Sequence, residues 1–251
     1  MWEGIKLNND GRVVAIDLRA NGLCGPLPRG PSKATDLFAL KHLETLSLLE
    51  NDLTGGIPDD IGVSEARTIL RLSNNPRLGG TIPERWDAPR LEHLHLYGCG
   101  LTGTVPTSLF SNATGLRTLK LNDNPSLGGR IPAQISLLTR LLSLDCSKCS
   151  FTGHLPPVGR IRSLTRLSLC HNKFSGAIAY LEINKATRLE ALYINDNSLL
   201  NGRLAARDLT SLRRMTAVDA SGCDLTGRLP AEGAFVCRGP PSPPFLITLP
   251  R

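Results

Sequence analysis

Aromatic residues are scarce, at 4% of 251 residues, so ring packing cannot build the core and leucine has to. No apolar run approaches the ~20 residues of a membrane helix. The opening MWEGIKLNND lacks the basic start and apolar stretch of a signal peptide. The chain as written therefore reads as soluble and cytoplasmic by default, and as extracellular if it is a piece of a receptor-type protein. A Gly-rich phosphate loop, a His-Arg-Asp catalytic loop and an Asp-Phe-Gly triplet are all missing. No nucleophile, base and orienting group can be drawn together from neighbouring segments, so a non-catalytic protein without cofactor is expected. Acidic residues are outnumbered, 22 against 29 Lys and Arg, giving a net charge of +7. The cations (Arg85, Arg90, Arg130, Arg160, Arg188, Arg207) are scattered without aromatic interleaving, which speaks for a solvated basic surface and against nucleic-acid binding. Seven cysteines, an odd number, exclude complete internal pairing.

What the chain does have is a repeat. Leu43 to Pro58 reads L-x-x-L-x-L-x-x-N-x-L-x-G-x-I-P, and the pattern returns with first positions at Val13, Leu43, Arg67, Leu91, Leu116, Leu141, Leu164, Leu189 and Met215. A period in this range with this lettering is the signature of a leucine-rich repeat solenoid. The expected architecture is α/β: a right-handed superhelix with a parallel β-sheet on the concave face and short helical or 3-10 turns on the convex face. Residues 1–12 read as a capping hairpin strand, with Asn9-Asp10-Gly11 as its turn and Trp2 over the first repeat. Residues 13–230 hold nine repeats, the first lengthened by an insertion near residues 29–33. Residues 231–251 break the period and read as an irregular Pro-rich tail, which suggests a truncated or continuing array.

Each slot of the pattern has a physical reason. The fourth and sixth positions (Leu94 and Leu96 in one repeat) share one face of a short strand and should form ladders through the core. The ninth is Asn21, Asn51, Asn75, Cys99, Asn124, Cys149, Asn172, Asn197 and Cys223. A buried amide there can satisfy turn backbone groups, and a thiol is a smaller, weaker substitute. This makes Cys146-x-x-Cys149 core filler rather than a redox or metal pair, and leaves Cys24, Cys170 and Cys237 as the accessible thiols. The repeats begun at Arg67, Leu116 and Leu189 carry one extra residue after the Asn, read as a small bulge. A glycine follows in all nine repeats, implying positive φ or close backbone approach. The proline three residues beyond it, present in seven repeats, suits the start of a helical turn.

The lettering, with its trailing glycine and Ile-Pro, resembles the plant-type leucine-rich repeat over about residues 2–230. The opening WEGIKLNNDGRVVAIDL is similar to that class's N-terminal cap, although the cysteine pair usual near the Trp is missing. The class includes ectodomains of receptor kinases and receptor-like proteins, inhibitors of pathogen enzymes and stand-alone proteins. The resemblance implies a protein or peptide ligand on the inner face of the solenoid. It fits either a free-standing binding module or a fragment of a receptor-like or receptor-kinase ectodomain in signal perception. A monomer is expected.

Residues between the strand leucines should face the concave surface in three rows. Arg71, His95 and Lys120 are consecutive in the middle row, flanked by His93 and Tyr97, and these three potential cations would gain from an anion laid across them. Asn122, Arg166 and Tyr193 extend the candidate ligand-binding set. The ligand favoured is an acidic or sulfated peptide, or an anionic glycan. His93 and His95 could share a metal, but Arg71 and Lys120 beside them and the want of a third ligand argue against one. Asn112-Ala113-Thr114 is a glycosylation acceptor sequence, meaningful only in a secreted chain.

Overall fold

The computed structural model describes residues 3–28, 37, 40–204, 208–209, 211–226 and 247–248. Trp2, the insertion at 29–33, Cys237 and most of the tail lie outside them. One three-residue strand per repeat stacks into a parallel array running in chain order, from Thr45–Ser47 through Ile69–Arg71, His93–His95 and Thr118–Lys120 to Ala217–Asp219. The central leucines pair in strict phase, Leu46 with Leu70, Leu94, Leu119, Leu144 and Leu167 in turn. All six are 1% exposed or less, so this ladder is the core. At one end Ile5–Leu7 pairs antiparallel with Val13–Asp17. The Asn8 side chain closes their turn by accepting the N–H groups of Asp10 and Arg12. At the other end Ile247–Thr248, in the stretch expected to be irregular, adds a parallel strand beside Ala217–Asp219.

A second, six-stranded parallel sheet was not expected. It consists of Thr102–Thr104, Ser126–Gly129, Ser150–Gly153, Lys173–Ala177, Leu199–Arg203 and Asp224–Thr226, the segments just after the ninth-position turn. Each of the middle four buries one apolar residue (Leu127, Phe151, Phe174, Leu200), and the rings of Phe151 and Phe174 stack at 6.2 Å. The remaining side carries 3-10 turns and the α-helix Thr107–Asn112. Pro58, Pro106 and Pro132 stand immediately before such turns with extended ψ, where a residue without N–H costs no hydrogen bond.

The ninth-position asparagines bridge neighbouring repeats. Asn124 is typical: its Nδ2 donates to Leu96 O of the preceding repeat and to Leu121 O of its own, and its Oδ1 accepts the N–H groups of Cys99 and Leu101. The thiols of Cys99, Cys149 and Cys223 keep only the donor half, bonding Leu72 O, Leu121 O and Ile194 O. Each of these cysteines follows a repeat with the extra turn residue. In those repeats the turn bonds itself: Leu78, Leu127 and Leu200 donate their N–H groups to the backbone oxygens of Asn75, Asn124 and Asn197. Once the longer turn supplies its own acceptor, the next repeat no longer needs an amide oxygen, and a thiol suffices. Bulge and cysteine are one device.

The repeat glycines show both properties expected of them. Gly153 and Gly176 have φ of +76° and +79°, and a Cβ on either would stand 2.9 Å from Arg130 Cγ or 2.5 Å from His154 Nδ1. One slot departs from the pattern. Arg67 occupies a leucine position and is 2% exposed. One guanidinium nitrogen, Nη1, reaches Ile61 O at 2.7 Å, while Nε finds no partner.

Candidate ligand-binding face

The strand register sets Arg71 against His95 and His95 against Lys120, as the row reading requires. His93 lies between Ile69 and Thr118 in the adjacent row. Tyr97 and Asn122 come two residues after the ends of His93–His95 and Thr118–Lys120, both half-buried. Six of the eight candidate residues therefore sit on three consecutive strands or just past their ends. Arg166 and Tyr193 do not join them. They lie past the strand Ser143–Asp145, whose Asp145 stands beside Lys120 and places a carboxylate between the two groups. The seventh-position row is also less open than expected, since Leu49, Ser73 and Ser147 are buried.

The two histidines share one hydroxyl. His93 Nδ1 and His95 Nε2 each stand 2.9 Å from Thr118 Oγ1, with the rings 6.4 Å apart and nearly perpendicular. When both rings are neutral, Thr118 donates its single proton to one and accepts from the other, so the two rings share one tautomer, both Nε2–H or both Nδ1–H. Burial pushes His95 down to about 4, helped by Lys120, Arg71 and His93. Burial, then Arg71, lowers His93 as well. This corrects the three-cation reading: at neutral pH the row holds two permanent cations, Arg71 and Lys120, on either side of an uncharged ring. Among the described residues no third His, Cys, Asp or Glu completes a metal set with the pair.

Two polar atoms of the cluster are enclosed without hydrogen-bond partners, Arg71 Nε and Asn122 Oδ1. One seeks an acceptor and the other a donor. Farther along, two pairs of side chains that precede ninth positions meet across repeats, Lys148 with Asp123 at 3.5 Å and His171 with Asp196 at 3.3 Å. Cys24 is exposed, as expected, and Cys170 is less open than expected, half-buried, while burial pushes the Cys99 and Cys149 thiols up to about 12. Asn112 is exposed, but its Nδ2 donates to Trp86 O.

The family model described as Leucine Rich Repeat matches residues 42–63 and 90–112. Receptor-like protein kinase BRI1-like 3 of Arabidopsis thaliana is 33% identical over 250 residues, covering 79% of this chain and 21% of the kinase. Among solved structures, a plant ice-binding protein superposes with a TM-score of 0.72 at 21% identity, over 93% of this chain and 80% of that one. The Arabidopsis receptor kinase HAESA, solved in complex with the peptide hormone IDA and the co-receptor SERK1, superposes at 0.55 with 24% identity, over 91% of this chain and 48% of that one. The chain spans less than a quarter of the length of the curated relatives it matches first.

Proposed function

The chain is a plant-type leucine-rich repeat protein, and from that premise we propose that it is a non-catalytic module binding a protein or peptide through the open face of its longer sheet. An acidic side chain of the ligand sits across Arg71, His95 and Lys120. The observation that carries this reading is the pair of cations, Arg71 and Lys120, that the strand register sets on either side of His95. A carboxylate laid between two permanent cations makes charge-assisted hydrogen bonds, roughly twice as strong as neutral ones. His93 and Tyr97 flank the seat and select what lies beside the acid. Arg166 and Tyr193, beyond Asp145, contact a ligand long enough to cross that strand. The test is selection from a random peptide library against the recombinant chain, repeated with Arg71→Glu combined with Lys120→Glu. Enrichment of Asp and Glu that vanishes in the variant is expected. Peptides that bind both proteins equally would remove the site.

A second reading is that the chain is part of a receptor-like or receptor-kinase ectodomain in signal perception, outside the cell. It is supported by the receptor-kinase relatives, of which the chain spans only a fraction. The full transcript decides it: a signal peptide upstream and a membrane helix downstream are expected, and a reading frame coding for this chain alone would exclude it.

A further inference from the structure

The turns that lead into the strands of the last four repeats carry a row of arginines. Each first-position N–H closes a turn onto the residue three before it: Leu141 onto Leu138 O, Leu164 onto Ile161 O, Leu189 onto Ala186 O and Met215 onto Leu212 O. The residues at both ends of these turns are buried, which leaves the central pairs at the surface. Those pairs are Thr139-Arg140, Arg162-Ser163, Thr187-Arg188 and Arg213-Arg214, all exposed except the half-buried Ser163. Just past the turns, Thr165 N–H bonds Leu142 O, Glu190 N–H bonds Thr165 O and Thr216 N–H bonds Glu190 O. Successive turns are therefore held one strand spacing apart, ~4.8 Å. Arg140, Arg188 and Arg214 take the second central place, Arg162 and Arg213 the first. Cations that are scattered along the chain are gathered by the stacking. The preceding turn carries the uncharged Thr114-Gly115, so the row begins at Arg140. None of the five arginines takes part in an ion pair among the described residues. Glu182 is held by Lys185 at 2.9 Å and Asp208 already has a partner. Glu190, exposed two residues past Arg188, can offset one charge of the five.

We propose that this row of stacked turns is a second binding surface, for an acidic polysaccharide laid along it with carboxylates on Arg140, Arg162, Arg188, Arg213 and Arg214. All five cations are arginine, whose guanidinium fork pairs with a carboxylate through two N–H groups at once. The eight central residues are Arg, Thr or Ser, so the turn tips offer no aromatic ring to stack a base and no apolar side chain to anchor a peptide. The backbone N–H groups just past the turns are taken by the neighbouring repeats, so a peptide cannot add there as a strand. Thr139 and Thr187, exposed beside Arg140 and Arg188, present hydroxyls to the uncharged groups of a sugar. A hydroxylated chain of repeated acids needs only what the row supplies.

The probes are a size-defined oligogalacturonate, its fully methyl-esterified form, a single-stranded oligonucleotide of equal charge and poly-L-glutamate, titrated calorimetrically into the recombinant chain. The oligogalacturonate is expected to bind, more weakly as salt rises, and the ester not. Arg140→Gln combined with Arg188→Gln should weaken binding at least about tenfold, the scale of one or two lost charge-assisted contacts. Arg85→Gln combined with Arg90→Gln removes the same net charge from exposed positions outside the row and should leave the affinity unchanged. Melting temperatures within about 2 °C of the parent establish that the variants fold. No binding of the oligogalacturonate overturns the proposal. So does full affinity in the Arg140 and Arg188 variant, an equal loss in the Arg85 and Arg90 variant, or the oligonucleotide or poly-L-glutamate bound as tightly as the sugar.

Discussion

Asn124→Cys tests the reasoning behind the turn ladder. Asn124 is fully buried, and its Oδ1 is the acceptor for Cys99 N–H at 3.1 Å and Leu101 N–H at 3.0 Å. A cysteine in its place keeps a donor, as Cys149 does toward Leu121 O at 3.3 Å, but offers no comparable acceptor. The preceding turn has no extra residue to bond itself. Two buried N–H groups are orphaned at about 1–3 kcal/mol each, so the expected loss is roughly 2–5 kcal/mol. The opposite exchange, Cys149→Asn, restores an acceptor that the structure does not need, because Leu127 N–H already bonds Asn124 O at 2.9 Å. Its effect should stay under about 1 kcal/mol, on the scale of an unremarkable substitution. Urea denaturation followed by circular dichroism measures both, with the slopes compared to verify that cooperativity is unchanged. A loss for Asn124→Cys no larger than that for Cys149→Asn refutes the acceptor argument and makes the coincidence of long turns with cysteines accidental.

Arg67→Met should stabilise the protein. Desolvation pulls the buried guanidinium down to about 10 from 12.5, a burden of about 3 kcal/mol, so a rise of roughly 1–3 kcal/mol in stability is expected, and an unchanged or lower melting temperature refutes it. His95 is a base whose pKa is depressed on folding, so the unfolded chain binds the extra proton and stability falls as pH drops from about 6.5 toward 4. With screening at a half-buried site the loss is about 1–2 kcal/mol, and His95→Gln should flatten that part of the pH–stability curve; an identical slope would place the titrating group elsewhere. Leu96→Ala opens a cavity in a ladder where the residue is 0% exposed and should cost roughly 2–5 kcal/mol; a negligible loss in denaturant would contradict the register.

The longer sheet was legible because its signal repeats: a leucine at the fourth and sixth positions marks a two-residue periodicity that nothing else in the chain imitates. The second sheet was not, because each of its strands buries a single side chain. Segments such as SLGG and SFTG look like turn residues around one apolar anchor. The left-handed residue before each ninth position carried a partial signal. Asn74, Gly98, Asp123, His171, Asp196 and Gly222 are types that favour positive φ, whereas Ala20, Glu50 and Lys148 adopt it without that preference. The candidate site divided along the same line. Which side chains are neighbours followed from the period alone. Their charge did not, because the protonation of His95 depends on burial and on three surrounding groups that only the folded chain brings together. Arg67 was placed correctly in a leucine slot, but spacing cannot reveal that a guanidinium there would be enclosed.

The geometry of the seat also says what kind of anion suits it. Arg71 and Lys120 stand two strands apart with the uncharged His95 between them, so the positive charge to be matched is confined to two side chains. The neutral state of the histidines works in the same direction. With Thr118 satisfied by His93 and His95, the middle of the seat asks for no second negative charge, so one carboxylate suffices between Arg71 and Lys120. Dense polyanions are thereby disfavoured here, where Asp145 also stands beside Lys120.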